Sequence, residues 1–120
     1  MTDHWQKNIE VLRGCDAELC SRLEREPASV DVETIPCRSG DVTARVRGVT
    51  LHSTYDPRQE ARKLVADFVE QHQSEFDRAR GGTQFFLVIL GFGMGYHVEE
   101  LIAALDRTGW YSDRTRVVVI

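Results

Sequence analysis

The sequence predicts a mixed α/β domain in which N-terminal helices and a β-hairpin precede a truncated Rossmann-like βαβ unit. Three observations carry that prediction. Apolar residues recur at helical spacing from Trp5 to Leu12 and again from Ala61 to Val69. β-Branched residues cluster between Val30 and Leu51. The stretch FFLVILGFGMGYHVEEL, Phe85 to Leu101, passes from a continuous apolar run through three glycines into a second amphipathic pattern. The 120 residues suit one domain, read as a helical lead over 1–28, a hairpin over 29–53 and an α-βαβ part over 56–120 whose sheet is cut short at the C-terminus.

In chain order, Trp5, Ile9 and Leu12 mark a first helix, and Leu19 and Leu23 a second. The intervening RGCD predicts a corner, with Asp16 placed to accept hydrogen bonds from the free N–H groups that open the second helix. Pro27 ends this segment. VDVETIPC and VTARVRGVTL, separated by RSGD, then predict a hairpin. Val42, Ala44 and Val46 fall on its inner face, and Thr43, Arg45 and Arg47 on a solvated one.

The strongest local signal is TYDPRQEARKLVADFVEQH. Asp56 can cap a helix, Pro57 suits its first position, and Gln59 stands at capping-box spacing. Ala61, Leu64, Val65, Phe68 and Val69 form one apolar stripe, and the helix is expected to reach about Arg80, before Gly81 and Gly82. Phe85–Leu90 reads as a strand covered on both faces. Val98, Leu101, Ile102 and Leu105 predict a helix ending near Gly109, and RVVVI resumes strand character, completing a right-handed βαβ unit.

Charge and hydropathy exclude several functions. Fifteen basic and 19 acidic residues give a net charge of −4 with no long block of either sign, so general affinity for nucleic-acid backbone or an anionic membrane is not expected. No apolar run approaches the roughly 20 residues of a membrane span, and MTDHWQKNIEVLRGC lacks the order of a signal peptide, which predicts a cytoplasmic protein. Cys15, Cys20 and Cys37 include no C-x-x-C pair and read as free thiols; a metal site made from them and His4 would lack the paired spacing of structural zinc.

The glycine stretch carries the functional question. Gly91, Gly93 and Gly95 leave a strand and enter a helix, where glycines permit close backbone approach and helix N–H groups can face a phosphate, carboxylate or ribose. GFGMGY lacks the last glycine of G-x-G-x-x-G and the lysine of a P-loop, and is closer to the G-x-G-x-G of class I methyltransferases. A nucleotide or S-adenosylmethionine site and a tight structural corner both fit, and no specific cofactor is assigned. An acidic ribose-reading residue at the end of the following strand would lie beyond Ile120.

Two segments together are more specific than the glycines. LHSTYDPRQEARKL, Leu51 to Leu64, and LGFGMGYHVEELI, Leu90 to Ile102, resemble the N-terminal region of the motility-associated factor (Maf) glycosyltransferases, with their LHSkYDPxxEA and GxGxGYH segments. NIEVLRGCDAELCSRL, Asn8 to Leu23, is similar to the start of that region, except that Cys15-Asp16-Ala17 stand where the family commonly has a proline before Glu-Leu. The resemblance implies bacterial protein glycosylation, the transfer of nonulosonic acids from CMP-activated donors to serine or threonine of flagellin. It also implies a catalytic domain C-terminal to this region, so no catalytic residue is carried over. The implied partners are the remainder of the glycosyltransferase chain and flagellin, with a homodimer as a further way to cover the sheet. His52, Ser53, Tyr55 and Asp56 from the first motif, and Gly91, Gly93, Gly95, Tyr96 and His97 from the second, are the candidate ligand-binding residues.

Each has a structural reading beside the functional one. Asp56 and Tyr55 suit the cap and lead-in of the helix at Pro57. His97, in the first helical turn after Gly95, could meet a ligand or make a structural hydrogen bond, and His52 could lie near the glycine turn. His4 and His72 read as solvent-facing, and Trp110-Tyr111 as loop packing or a contact with further sequence. No Ser/His/Asp set or carboxylate pair stands at a spacing that specifies hydrolysis.

Overall fold

The computed structural model describes residues 3–26, 31–82, 84–109 and 115–120, and the protein is a mixed α/β chain. Pro27 and Trp110-Tyr111 lie outside the described residues. The chain divides into two compact units, Met1–Val30 and Asp31–Ile120.

The first unit is a helical hairpin. Helix α1 spans Asp3–Cys15 and α2 spans Ala17–Arg25. Asp16 alone makes the corner: its carboxylate accepts the Leu19 N–H at 2.9 Å, satisfying a donor that the helix itself leaves open. Ile9 and Cys20 are buried between the helices, and the Cys20 thiol lies 3.6 Å from the Ile9 carbonyl oxygen. The exposed Arg13–Glu24 pair at 2.7 Å spans the two helices and contributes under about 1 kcal/mol.

The second unit opens with an antiparallel sheet of three strands, β1 (Val32–Pro36), β2 (Val42–Val46) and β3 (Val49–Thr50), in that spatial order. The expected hairpin is therefore a meander. Arg47 (φ 49°) and Gly48 (φ 81°) both adopt left-handed backbone, the geometry of a two-residue hairpin turn, and fold VTARVRGVTL back on itself. The expected solvated face also needs correction. Thr43 is fully buried, as is its neighbour Ala44, so the middle of β2 is covered on both sides. Arg45 pairs with Glu33 across the β1–β2 ladder, and Arg47 is exposed.

Helix α3 spans Pro57–Gln71 and α4 spans Gln73–Arg80. The single helix expected to Arg80 is kinked at His72 (φ −113°, ψ 22°). The His72 N–H still reaches the Phe68 oxygen and the Phe76 N–H reaches the His72 oxygen, so the ladder runs on through one displaced residue. Gly81 caps the end. Strand β4 (Phe85–Ile89), helix α5 (Tyr96–Thr108) and strand β5 (Thr115–Val119) follow, with β4 and β5 parallel and Leu87 opposite Val117. Gly109, at φ 69°, caps α5 in left-handed backbone.

Val65, Phe76, Leu101, Ala104 and Leu105 form the core of this unit, against which Val69, Leu87, Ile89 and Val117 pack. Among the described residues, only that face of the parallel pair is covered. Phe86, Val88 and Leu90 point the other way and are 62%, 55% and 83% exposed, which corrects the expectation of a strand buried on both faces. The physical reason is a shortage of layers, because α3 and α5 both pack on one side. Among the described residues, no helix is long and apolar enough to cross a membrane.

Candidate functional site

The glycine turn begins where β4 ends. Gly91, Gly93 and Gly95 all have positive φ, and three amides of the turn bond within the protein. The Gly91 N–H donates to the Ile120 oxygen at 2.6 Å, extending the parallel ladder, and the Gly95 N–H closes a tight turn on the Phe92 oxygen at 2.9 Å. The Met94 N–H donates to the imidazole Nε2 of His52 at 3.0 Å. A loop that cradles phosphate needs such amides pointing at the ligand. Here these three have partners within the protein.

His52 is the joint between the two sequence motifs. It follows β3, its side chain is 2% exposed, and its backbone N–H donates to the Thr43 hydroxyl at 3.1 Å. This explains the burial of Thr43. Because Nε2 accepts from Met94, the neutral ring carries its proton on Nδ1, which faces Glu60 Oε1 at 3.7 Å, beyond hydrogen-bond length. Burial lowers the His52 pKa below that of a free histidine, and neighbouring His97 lowers it further, while Glu60 opposes both. The ring is held neutral, and its lone pair is already engaged.

Gly93 is required by the same contact. A Cβ on Gly93 would lie 2.6 Å from His52 Nε2, and the buried ring, tied to the adjacent amide, has nowhere to move. Gly95 is less constrained by its neighbour, since a Cβ there would meet the ring of Phe92, which is largely exposed and can swing aside.

The other candidates divide between the joint and its frame. Tyr96 is buried, its hydroxyl donates to the Val42 oxygen and accepts the Val42 N–H at 3.3 Å, and its ring meets His52 edge-on at 5.5 Å. It therefore ties α5 to β2. His97 stacks edge-on against His52 with centroids 4.6 Å apart. Among the described residues, the buried Nδ1 atoms of both histidines lack a hydrogen-bond partner. Ser53 and Asp56 organise the start of α3. The Ser53 hydroxyl accepts from Tyr55 and Asp56 N–H groups, and Asp56 accepts the Gln59 N–H at 2.9 Å. Tyr55 is 63% exposed, with the Arg38 guanidinium 5.3 Å from its ring centre.

Several residues of this frame carry no signal in the sequence pattern. Arg58 bonds Asp41 at 3.0 Å and Glu99 at 3.1 Å and lies 5.0 Å from the centre of the Tyr96 ring, joining three separate elements. Both carboxylates keep it charged, raising its pKa. Glu60 accepts the Ser53 N–H at 3.0 Å. The one available hint is the clustering of Arg58 and Glu60 beside the recognisable cap. Cys37 is buried under the same segment, its thiol 3.4 Å from the Ser53 oxygen, and burial pushes its pKa up, the reverse of a reactive thiolate. Among the described residues there is no cluster of three or more metal-ligating side chains.

The chain is similar to an uncharacterized protein of Treponema pallidum (strain Nichols), with 45% identity over 81 residues. That match takes in 68% of this chain and 24% of the relative, so the chain spans about a quarter of the curated relative it matches. No family model matches the chain. No solved structure matches it.

Proposed function

We propose that this chain is the N-terminal accessory region of a bacterial Maf-type protein glycosyltransferase, acting in the cytoplasm as scaffold or acceptor-recognition surface for nonulosonic acid transfer to flagellin. In this reading β4–α5–β5 is a Rossmann-like half-unit whose glycine corner is structural. One observation carries it. LHSTYDP and GFGMGYH, the two segments on which the family resemblance rests, are docked through the His52–Met94 hydrogen bond and the close fit of Gly93 to the His52 ring. A motif pair that builds one joint accounts for its residue types without a ligand. The engaged amides of Gly91, Met94 and Gly95 favour the same view.

Two measurements test it. Flagellin produced together with the full gene product should carry nonulosonic acid on serine or threonine by mass spectrometry, and unmodified flagellin would overturn the family assignment. The 120-residue chain alone, given a CMP-activated nonulosonic acid and flagellin, should show no transfer; turnover would overturn the accessory role. A nucleotide or S-adenosylmethionine site is the second reading, favoured by the absence of a side-chain cap at Gly95, where α5 presents its first N–H groups. Saturable heat on titrating either compound into the chain would move the conclusion to that reading.

A further inference from the structure

The hydrogen bond that ties the glycine corner to the β1–β3 meander runs through a titratable atom. The Met94 N–H donates to Nε2 of His52 at 3.0 Å, and only a neutral ring offers a lone pair there. With one proton already on Nδ1, a second must go to Nε2. The bond then becomes two N–H groups pointed at each other across the same gap.

The surroundings decide which partner gives way. On its other side the ring faces Glu60 of α3, whose Oε1 lies 3.7 Å from Nδ1 and whose Oε2 is steadied by the Ser53 N–H at 3.0 Å. A small turn of that exposed carboxylate closes an ion pair with a charged imidazole. From α5 come His97, ring against ring at 4.6 Å, and Tyr96, whose hydroxyl is bonded to Val42. From β2 comes the Thr43 hydroxyl, which accepts the His52 backbone N–H. Arg58, beside the Tyr96 ring, is paired with Asp41 and Glu99, and the Cys37 thiol is uncharged, its pKa raised by burial. Among the described residues, Glu60 is the acidic group that faces the ring.

The ring is also the fixed member of the pair, with a side chain only 2% exposed. Gly91, Phe92 and Gly93 are exposed, and the glycines of the turn can take up other backbone angles without a Cβ clash. None of the turn belongs to the core of Val65, Phe76, Leu101, Ala104 and Leu105. Release of residues 92–94 therefore leaves that core standing, as a local opening.

We propose that the His52–Met94 contact is a proton-operated latch: neutral His52 holds the glycine turn shut, and protonated His52, paired with Glu60, lets residues 92–94 swing off the ring into solvent while α5 stays on the core. The two states keep the same buried ring and differ in which neighbour it bonds, which is the two-state element a switch requires. Burial and His97 disfavour the charge while Glu60 favours it, so the latch is shut at neutral pH and opens below the ordinary histidine value of 6.5.

Nuclear magnetic resonance of the isotope-labelled 120-residue chain, titrated from about pH 8 to about pH 5, tests the latch. The ring nitrogens of His52 should report its protonation. The Met94 amide should shift and lose exchange protection with the same midpoint, while the amides of Ala104 and Leu105 keep theirs. A Met94 amide that is unchanged over this range, or that loses protection only together with Ala104 and Leu105, would overturn the proposal. Glu60→Gln alters an exposed side chain, retains an oxygen for the Ser53 N–H, and should lower the midpoint by about 0.5 pH unit or more as the imidazolium loses its counter-charge. An unchanged midpoint would show that the charged ring does not rest on Glu60, which also defeats the latch. His52→Gln should abolish the transition at Met94; one that persists would belong to His97 and overturn the assignment to His52.

Discussion

The two ends of one short segment behave in opposite ways. At the glycine corner, His52, Thr43, Tyr96 and Met94 interlock at hydrogen-bond distance, and most polar groups there have partners. A few residues earlier, Phe86, Val88 and Leu90 present apolar side chains to solvent. The corner is bonded largely to the protein's own groups, while the strand face is exposed. Specific polar contacts and backbone shape define the first region, so small changes there should be costly. The second has nothing to disturb in the single chain.

Substitutions should expose that asymmetry. Gly93→Ala has the largest expected effect, about 3 kcal/mol, because left-handed backbone and a clash with a buried ring act together. It would be read as a lower denaturation midpoint. His52→Ala should cost about 2 kcal/mol by stranding the Met94 amide and leaving a cavity. The double variant sharpens the point: with the ring gone, the added methyl has room, so its cost should fall clearly below the sum of the two. Strict additivity would mean that Gly93 and His52 are not coupled. Tyr96→Phe, which removes both hydroxyl bonds to Val42, should cost about 1 kcal/mol. Phe86→Thr on the bare face should stay within about 0.5 kcal/mol in the monomer, and a loss like that at Gly93 would show the face to be covered.

A pH experiment tests the joint separately. His52 has a lower pKa in the folded chain than in the unfolded one, where about 6.5 applies. The unfolded chain therefore binds the proton more readily, and stability contributed by the neutral ring is present above pH about 6.5 and lost as pH falls toward the folded value. The useful quantity is a difference between two chains. His52→Gln should flatten the acid side of the stability profile relative to the native chain, and parallel profiles would show that His52 does not contribute.

Much of the architecture was legible in local pattern. Asp16 and Asp56 cap the helices they were expected to cap, and Gly81 and Gly109 end theirs. Each such signal acts over three or four residues, within reach of a single turn. The Arg47-Gly48 reversal was missed because an arginine in left-handed backbone gives no compositional warning, and the His72 kink because the apolar spacing continues through it. Candidate site residues were partly legible too. His52 could be placed near the glycine turn from its position at a strand end, but Thr43 looked like the polar member of an alternating strand, and Arg58, Asp41 and Glu99 like ordinary surface charges.

The sequence by itself determined where most helices and strands form and which residues cap the helices. Only the tertiary structure decided what those elements do to each other. His52 and Met94 are 42 residues apart, and no periodicity or cap connects residues at that separation. Their contact exists because the β1–β3 meander and the end of β4 converge, burying a ring against a backbone that lacks a Cβ. The uncovered face of β4 is likewise a consequence of layering: the residues announce an apolar strand, but only the packing of α3 and α5 on one side settles which of them are left in water.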